Sequence, residues 1–425
     1  MQFTSINELK DHIGKTVSVR GWVYRSRSGK AMAFIVMRDS TGIVQCIFPA
    51  ASPFYKTADA LLIESSCAVT GKVKKDDRAP GGFEIEGSAL EVYQKADVFP
   101  IAENQSVEFL LDKRHLWIRS QEQSAILKIK ATAMAAAREW FSKNKFYEVT
   151  PPIVTTNACE GGSTLFSFKY FDQVAYLSQS AQMYLEALIY NLEKVYSITP
   201  SFRAEKSRTL RHLAEYWHLE PEMAWVGHKE NLQVQEQLVS YMCHAVAKME
   251  QELQLLGRDP KDLLLVKPPF KRLDYSEVIE ILQQKGSQIK WGDDLGTEDE
   301  RLLVADEKVP VFVEKYPKEV KAFYMRENPD DPRTVLNADL LAPEGYGEMI
   351  GGSERETDYD KLVARMKQDK MPMKPYEWYL DLRKYGSVQH SGFGLGIERF
   401  IRWACKLEHI RDVIPFPRMM NRAYP

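Results

Sequence analysis

Long apolar runs are missing from this 425-residue chain, and with them the means to cross a bilayer as a helix. The N-terminus, MQFTSINELKDHIGK, lacks the apolar core of an export signal, so a soluble, unexported protein is expected. Cysteine is scarce: Cys46, Cys67, Cys159, Cys243 and Cys405 are five in number, scattered, and without a CxxC pair or a neighbouring histidine cluster. That pattern disfavours a disulfide framework and a zinc framework and fits a cytoplasmic setting. Net charge is nearly absent, with 57 basic residues against 59 acidic ones. A blanket polyanion binder is thereby disfavoured, while a local basic patch on a phosphate backbone is not. Also missing are internal repeats, low-complexity tracts and the GK[ST] element of a P-loop, so the Walker mode of holding a nucleotide is not expected.

What is present divides at about residue 100. Residues 1–98 carry short strand patterns, VSVRGWVYRSR, AFIVMRD, GIVQCIF, CAVTGKV and GGFEIEGSALEVY, separated by turn signals such as Ser40-Thr41-Gly42 and Pro80-Gly81-Gly82. Five strands with a helical interval near Phe54 to Glu64 match a small Greek-key barrel of the oligonucleotide-binding (OB) type. On such a barrel an exposed aromatic beside a polar side chain stacks a splayed base and reads its edge. Phe34 and Gln45 are the candidates, with Arg25 and Arg27 for phosphates; the bland reading makes Phe34 core and Gln45 a solvent-facing strand residue. Residues 99–108, around Pro100, form the expected linker.

Residues 109–425 mix long helices with runs of strands. SAILKIKATAMAAAREWFSKN, from Ser124 to Asn144, has helical periodicity, and its apolar face packs either internally or across a subunit boundary. Strands joined by short turns and flanked by separate helices predict an antiparallel α+β domain and argue against a βαβ parallel sheet. Residues 267–331 contain no interpretable motif. The most informative stretch is FRAEKSRTLRHLAEYWHLEPE, Phe202 to Glu222, a strand, a cation-rich turn and a returning strand. Lys206 to His212 packs four cations that must face solvent or an anion. Behind it, Tyr216, His218, Glu220 and Glu222 alternate onto one face of the second strand. Alone, the stretch fits a solvated hairpin with ordinary salt bridges better than an anion site.

Two further features raise the stakes. GFGLGIERF sets Gly392, Gly394 and Gly396 before a helix starting near Ile397, where small residues and free amides suit an anion or a planar ring, or simply tight packing. Arg399 lies one turn into that helix. Asp339 and Glu348 flank a Pro/Gly-containing loop and are the hard oxygen donors magnesium prefers when it carries phosphates. Cationic loop, Gly-rich helix start and carboxylate pair together suit a nucleoside triphosphate held without a P-loop.

Over nearly its whole length the chain resembles the class II aminoacyl-tRNA synthetases, most closely those of the archaeal asparaginyl type. Three signatures carry the resemblance in order: the long helix and strand ending at Pro151-Pro152, the FRAE loop at 202–205, and GLGIERF at 394–400. The resemblance implies an OB-fold anticodon-binding domain, a catalytic domain with an antiparallel sheet flanked by helices, and a homodimer formed through the first signature. It implies the partners ATP, L-asparagine and tRNA(Asn), with Mg2+ as cofactor. By match to the motifs, Arg203 holds the α-phosphate and the substrate carboxylate, Glu205 lies near the adenine, and Tyr216 stacks it. Arg211, His212 and Arg399 meet the outer phosphates. Glu348 and Asp339 bind magnesium, although the loop between them is longer than in aspartyl relatives.

The same resemblance places Gln182 on the substrate backbone, Glu160 on its amino group and Arg355 on its side-chain carbonyl. Arginine there grips aspartate or asparagine alike. Aspartyl enzymes typically carry lysine where this chain has Leu185 and aspartate where it has Glu220; both differences favour asparagine, unless Leu185 is helix core and Glu220 stands one residue back from the substrate. The alternatives are an aspartyl-tRNA synthetase, an ATP-dependent asparagine synthetase that uses no tRNA, and a tRNA-binding paralogue without chemistry.

Overall fold

A computed structural model describes residues 2–159, 164–206 and 209–425. The chain divides into two compact units, Met1–Leu110 and Leu111–Pro425.

The first unit is a closed five-stranded barrel. Its strands are β1 (Thr16–Gly29), β2 (Met32–Arg38), β3 (Ile43–Pro49), β4 (Ser66–Lys75) and β5 (Phe83–Gln94), in the order β1-β2-β3-β5-β4. Ala33, Ile35 and Met37 alternate into its core with Val44, Cys46 and Phe48 from β3, as period-two patterning requires. The expected helical interval is a short helix, Tyr55–Asp59.

The second unit is built on an eight-stranded sheet. In chain order its elements are β6 (Tyr147–Glu148), then β7 (Val154–Thr155), β8 (Ser167–Tyr170) and β9 (Gln173–Leu177), which form a small separate sheet, then β10 (Lys194–Phe202), β11 (Glu215–Ala224), β12 (Lys271–Asp274), β13 (Val311–Glu314), β14 (Asn337–Ala342), β15 (Gly347–Glu354) and β16 (His390–Gly396). The large sheet runs β12-β13-β14-β15-β16-β11-β10-β6. Its centre is antiparallel, as expected. Both edges are parallel, however: β6 runs with β10, and β12 with β13. The second of these pairs spans the stretch without motifs. Helices Tyr275–Gln284 and Thr297–Val304 cross from β12 to β13, so a βαβ crossover closes one edge of an otherwise antiparallel sheet.

One face of the sheet is apolar. Tyr196 and Ile198 of β10, Leu219 and Met223 of β11 and Leu395 of β16 share a core with the helices Gln121–Lys143, His228–Val246 and Ile397–Ala404. The first of these helices starts at Ser120, whose Oγ accepts from the Gln123 amide at 3.2 Å, a cap that contributes about 1 kcal/mol. It buries Ile126, Ile129, Ala133, Ala137 and Phe141 at three- and four-residue spacing, so its apolar face packs internally. With those side chains committed to one face, the polar residues of β10, β11, β15 and β16 are left to line the other.

Candidate active site

On that polar face two cavities adjoin. One of about 60 Å3 is bounded by Arg203, His212, Tyr216 and Arg399, and one of about 410 Å3 by Gln182, Glu220, Arg355 and Asp339. Arg203, Arg211, His218, Glu348 and Gly394 border both. Tyr216, His218, Glu220 and Glu222 do alternate onto the cavity face of β11, and Leu219 and Met223 point into the core.

The smaller cavity is rich in cations. Arg203, directly after β10, is tied through its amide to the Ala214 carbonyl at 3.0 Å, and its guanidinium stands 5.9 Å from the Tyr216 ring centre. Arg399 reaches Glu348 Oε2 at 3.0 Å. His212 does not count among the cations: burial, then Arg399, Arg211 and Arg203, push its imidazole down from 6.5 to about 4. Without an anion beside it the imidazole is therefore uncharged near neutral pH. Two other members of the turn, Ser207 and Arg208, lie outside the described residues. The glycines of β16 make room for side chains of the neighbouring strand. A Cβ on Gly394 would lie 2.3 Å from His218 Nε2, and one on Gly392 2.1 Å from Glu222 Oε2.

A β-bulge brings the two acidic candidates together. β14 and β15 pair Leu340 with Ile350 but Leu341 with Glu348, a shift that turns Glu348 onto the face of Asp339. Both carboxylates flank Gly351: a Cβ there would be 3.5 Å from Asp339 Oδ1 and 3.6 Å from Glu348 Oε1. Burial raises the Glu348 carboxyl, but Arg399, Arg211, Lys321 and Arg203 outweigh it and hold it down at about 2. Asp339 is raised by burial and by the Glu348 charge, against the pull of Lys321, whose Nζ stands 2.7 Å from its Oδ2. Two hard oxygen donors facing one space with room for water and phosphate oxygens fit a magnesium ion.

At the Arg355 end of the larger cavity the charges are buried and paired. Arg355 donates to Glu222 through Nε at 3.0 Å and Nη2 at 2.9 Å, and to Ser353 Oγ through Nη1 at 2.7 Å. A guanidinium has five N–H groups, so two remain for a ligand. Behind this pair Glu186 accepts from Gln182 at 3.0 Å, from Tyr379 at 2.8 Å and from Arg383 at 2.7 Å, with His390 Nε2 at 3.1 Å. Glu186, Glu222 and His390 are the one group of three metal-type donors among the described residues. Arg355 and Arg383 already neutralise it, so it is a charge network.

Glu220 is engaged: it accepts from the Ala181 amide at 2.9 Å and from the Ser180 hydroxyl, with His218 Nδ1 at 3.3 Å. It thereby holds the start of helix Gln182–Leu192 while also lining the cavity. Leu185 lines the cavity and packs with Ala181, Ile189 and Val195, so it belongs to both wall and core.

Some candidates stand elsewhere. Glu205 borders neither of these two cavities; it lies 3.7 Å from both Arg203 and His212. Glu160 lies outside the described residues. On the barrel, Gln45 is buried, contrary to its bland reading as solvent-facing: it accepts from Arg27 at 3.2 Å and donates to Glu84 at 2.8 Å. Phe34 is half-buried outside the barrel core, with the Arg27 guanidinium 4.6 Å above its ring, and Arg25 is exposed.

Comparison with known proteins decides the family. Residues 106–420 match the model of class II tRNA synthetases for D, K and N, and residues 17–93 that of the OB-fold nucleic acid binding domain. An asparagine–tRNA ligase of Thermococcus gammatolerans is 55% identical over 97% of this chain and 96% of its own. The chain belongs to the asparaginyl-tRNA synthetases. The crystal structure of the Pyrococcus horikoshii asparaginyl-tRNA synthetase complexed with asparaginyl-adenylate matches all of both chains with a TM-score of 0.97 and 52% identity. That of Entamoeba histolytica matches 97% of each at 0.90 and 32%. Members of this class II family are ATP-dependent ligases, with an α+β catalytic domain behind an OB-fold.

The stretch without motifs supplies the residues that the sequence pattern missed. Asp294, Glu300, Lys321 and Tyr324 all line the larger cavity. Glu300 sits in TEDER, an acidic helix start that reads as solvated surface. Its one distinguishing mark is the apolar Leu302-Leu303-Val304 that follows, which docks the helix and buries the glutamate with it.

Proposed function

We propose that the cleft activates L-asparagine with ATP and passes it to tRNA(Asn). A carboxylate oxygen of asparagine attacks the α-phosphorus of ATP; the new P–O bond forms as the bond to pyrophosphate breaks. A hydroxyl of the terminal tRNA ribose then attacks the acyl carbon, and AMP leaves. No side-chain nucleophile is required, so catalysis is positioning and charge stabilisation.

In this reading Arg203, which directly follows β10 and borders both cavities, bridges the α-phosphate and the attacking carboxylate, the role that its match to the FRAE motif implies. Tyr216 stacks the adenine beside Glu205. Arg211, His212 and Arg399 receive the outer phosphates. Asp339 and Glu348 hold Mg2+, which when bound neutralises phosphate charge. Arg355 takes the side-chain carbonyl with its two spare N–H groups, Gln182 orients the substrate backbone, and Glu160 takes the amino group. Leu185 offers no cation to an aspartate carboxylate, and Glu220 adds negative charge that favours an amide. The observation that carries this reading is the meeting of a cation-lined cavity and an Arg355–Glu222 pocket at Arg203 and Glu348.

The barrel reads the anticodon, with Phe34 stacking a base, Gln45 reading its edge in exchange for its bonds to Arg27 and Glu84, and Arg25 and Arg27 on phosphates. Two copies pair through the segment after the long helix, where Tyr147, Ile153 and Val154 are exposed. No helix among the described residues is long and apolar enough to cross a membrane, in keeping with a cytoplasmic enzyme. The test is charging of tRNA(Asn) with radiolabelled asparagine. Phe34→Ala is expected to raise the KM for tRNA about tenfold, given a stacking contribution of about 1–3 kcal/mol, with pyrophosphate exchange unchanged. Charging of tRNA(Asp) in preference to tRNA(Asn), or a loss of exchange in Phe34→Ala, would oppose it.

A further inference from the structure

Glu300 lies on the helix Thr297–Val304, inside the βαβ crossover, and is 4% exposed. Its two carboxylate oxygens make contacts with two different pieces of the site. They grip the Arg211 guanidinium in a two-pronged pair, Arg211 Nη2 to Oε1 at 3.0 Å and Nη1 to Oε2. Oε2 also accepts from the backbone amide of Glu348 at 2.7 Å. The turn into β15 is shaped around this contact. Gly347 has φ +78°, and a Cβ there would lie 2.6 Å from Glu300 Oε2 and 3.2 Å from Arg211 Nη1. Arg211 is nine-tenths buried and borders both cavities, and its Nε–H has no partner among the described residues.

We infer that Glu300 is a positioning residue for the nucleotide: it clamps Arg211 and the Glu348 backbone to each other, so that the cation for the outer phosphates and the carboxylate for magnesium are set in one geometry before ATP arrives. The inference rests on the ATP-binding reading of Arg211 and Glu348 given above. Its physical basis is that Arg211 sits in a turn between strands, where a long side chain otherwise samples many rotamers. A two-point carboxylate grip on the guanidinium removes that freedom and leaves its remaining donors for phosphate. The crossover between β12 and β13 would then act in catalysis, by delivering one carboxylate to the far side of the phosphate site.

The test is asparagine-dependent ATP–pyrophosphate exchange by Glu300→Gln, Arg211→Ala and the double variant. An amide in place of the carboxylate keeps one accepting oxygen and turns a donating NH2 towards Arg211 or Glu348, so the two-pronged grip is lost along with the charge. The KM for ATP is expected to rise about tenfold while the KM for asparagine stays within about twofold. Because Glu300 acts in part through Arg211, the double variant is expected to raise the ATP KM by less than the product of the two single rises. Glu300→Asp, which keeps the charge on a shorter arm, is expected to fall between wild type and Glu300→Gln, and it carries the same comparison if the amide variant does not accumulate folded. Additive effects in the double variant, or equal rises in both KM values, would overturn the proposal. Absence of asparagine-dependent exchange in the wild type would instead overturn the parent reading.

Discussion

Arg399 and Glu348, at the end of the cleft proposed to take the nucleotide, are 21% and 30% exposed at their side chains, whereas Arg355 and Glu222, at the end proposed to take the amino acid, are 3% and 1% exposed. The first pair meets through one nitrogen, Arg399 Nη1, which stands 3.0 Å from Glu348 Oε2 and 3.3 Å from the Glu348 carbonyl, beside open space. The second is a two-pronged pair backed by Ser353, Glu186, Arg383, Tyr379 and His390. The difference follows from what each end must recognise. A triphosphate brings several charges and its own water and metal, so a partly hydrated Arg399 suffices beside the buried cation Arg211, which Glu300 holds in place. An asparagine side chain differs from aspartate by one amide, and telling them apart needs fixed donors in a dry place where an unmatched charge costs several kcal/mol. A buried network of this kind buys selectivity through rigidity, and it ties the stability of the unit to the pocket.

That contrast can be broken in order of size. Glu222→Ala strands the Arg355 charge in the interior and is expected to cost about 3–5 kcal/mol of stability in denaturant unfolding. Arg399→Ala is expected to change stability by less than about 1 kcal/mol, its loss appearing in the KM for ATP. Similar stability losses for the two would show that the ends are not held differently. A smaller effect is expected from Leu185→Lys combined with Glu220→Asp. The added cation at the cavity wall and the retracted carboxylate should shift the ratio of kcat/KM for asparagine over aspartate at least tenfold towards aspartate. The same change loosens the Ala181 amide and Ser180 hydroxyl from the residue at 220, so a parallel rise in the KM of both substrates would mark Glu220 as a helix support and leave selectivity to other groups.

How far residues alone carried this picture depended on whether their surroundings were local. The barrel strands, the alternation of β11 and the start of the helix at Ile397 were legible because period-two patterns and turn residues act within a few positions. The pairing of Asp339 with Glu348 was legible as chemistry, yet the bulge that turns Glu348 onto the right face has no signature in composition. Glu300 was hidden altogether, since its partners are 89 and 48 residues away. His212 was misread as a cation for the same reason: three arginines and burial, all supplied by tertiary structure, remove its charge. Gln45 was half legible, its place on β3 correct and its burial between Arg27 and Glu84 not.

The central claim is that the dry, arginine-anchored end of this cleft selects an amide over a carboxylate. Amino-acid-dependent ATP–pyrophosphate exchange in the presence of magnesium, run with asparagine and aspartate side by side, addresses it directly. A kcat/KM for asparagine on the order of a thousandfold above that for aspartate is the expected result, from two charge mismatches of a few kcal/mol in a buried pocket. Exchange with aspartate equal to or faster than with asparagine would contradict it.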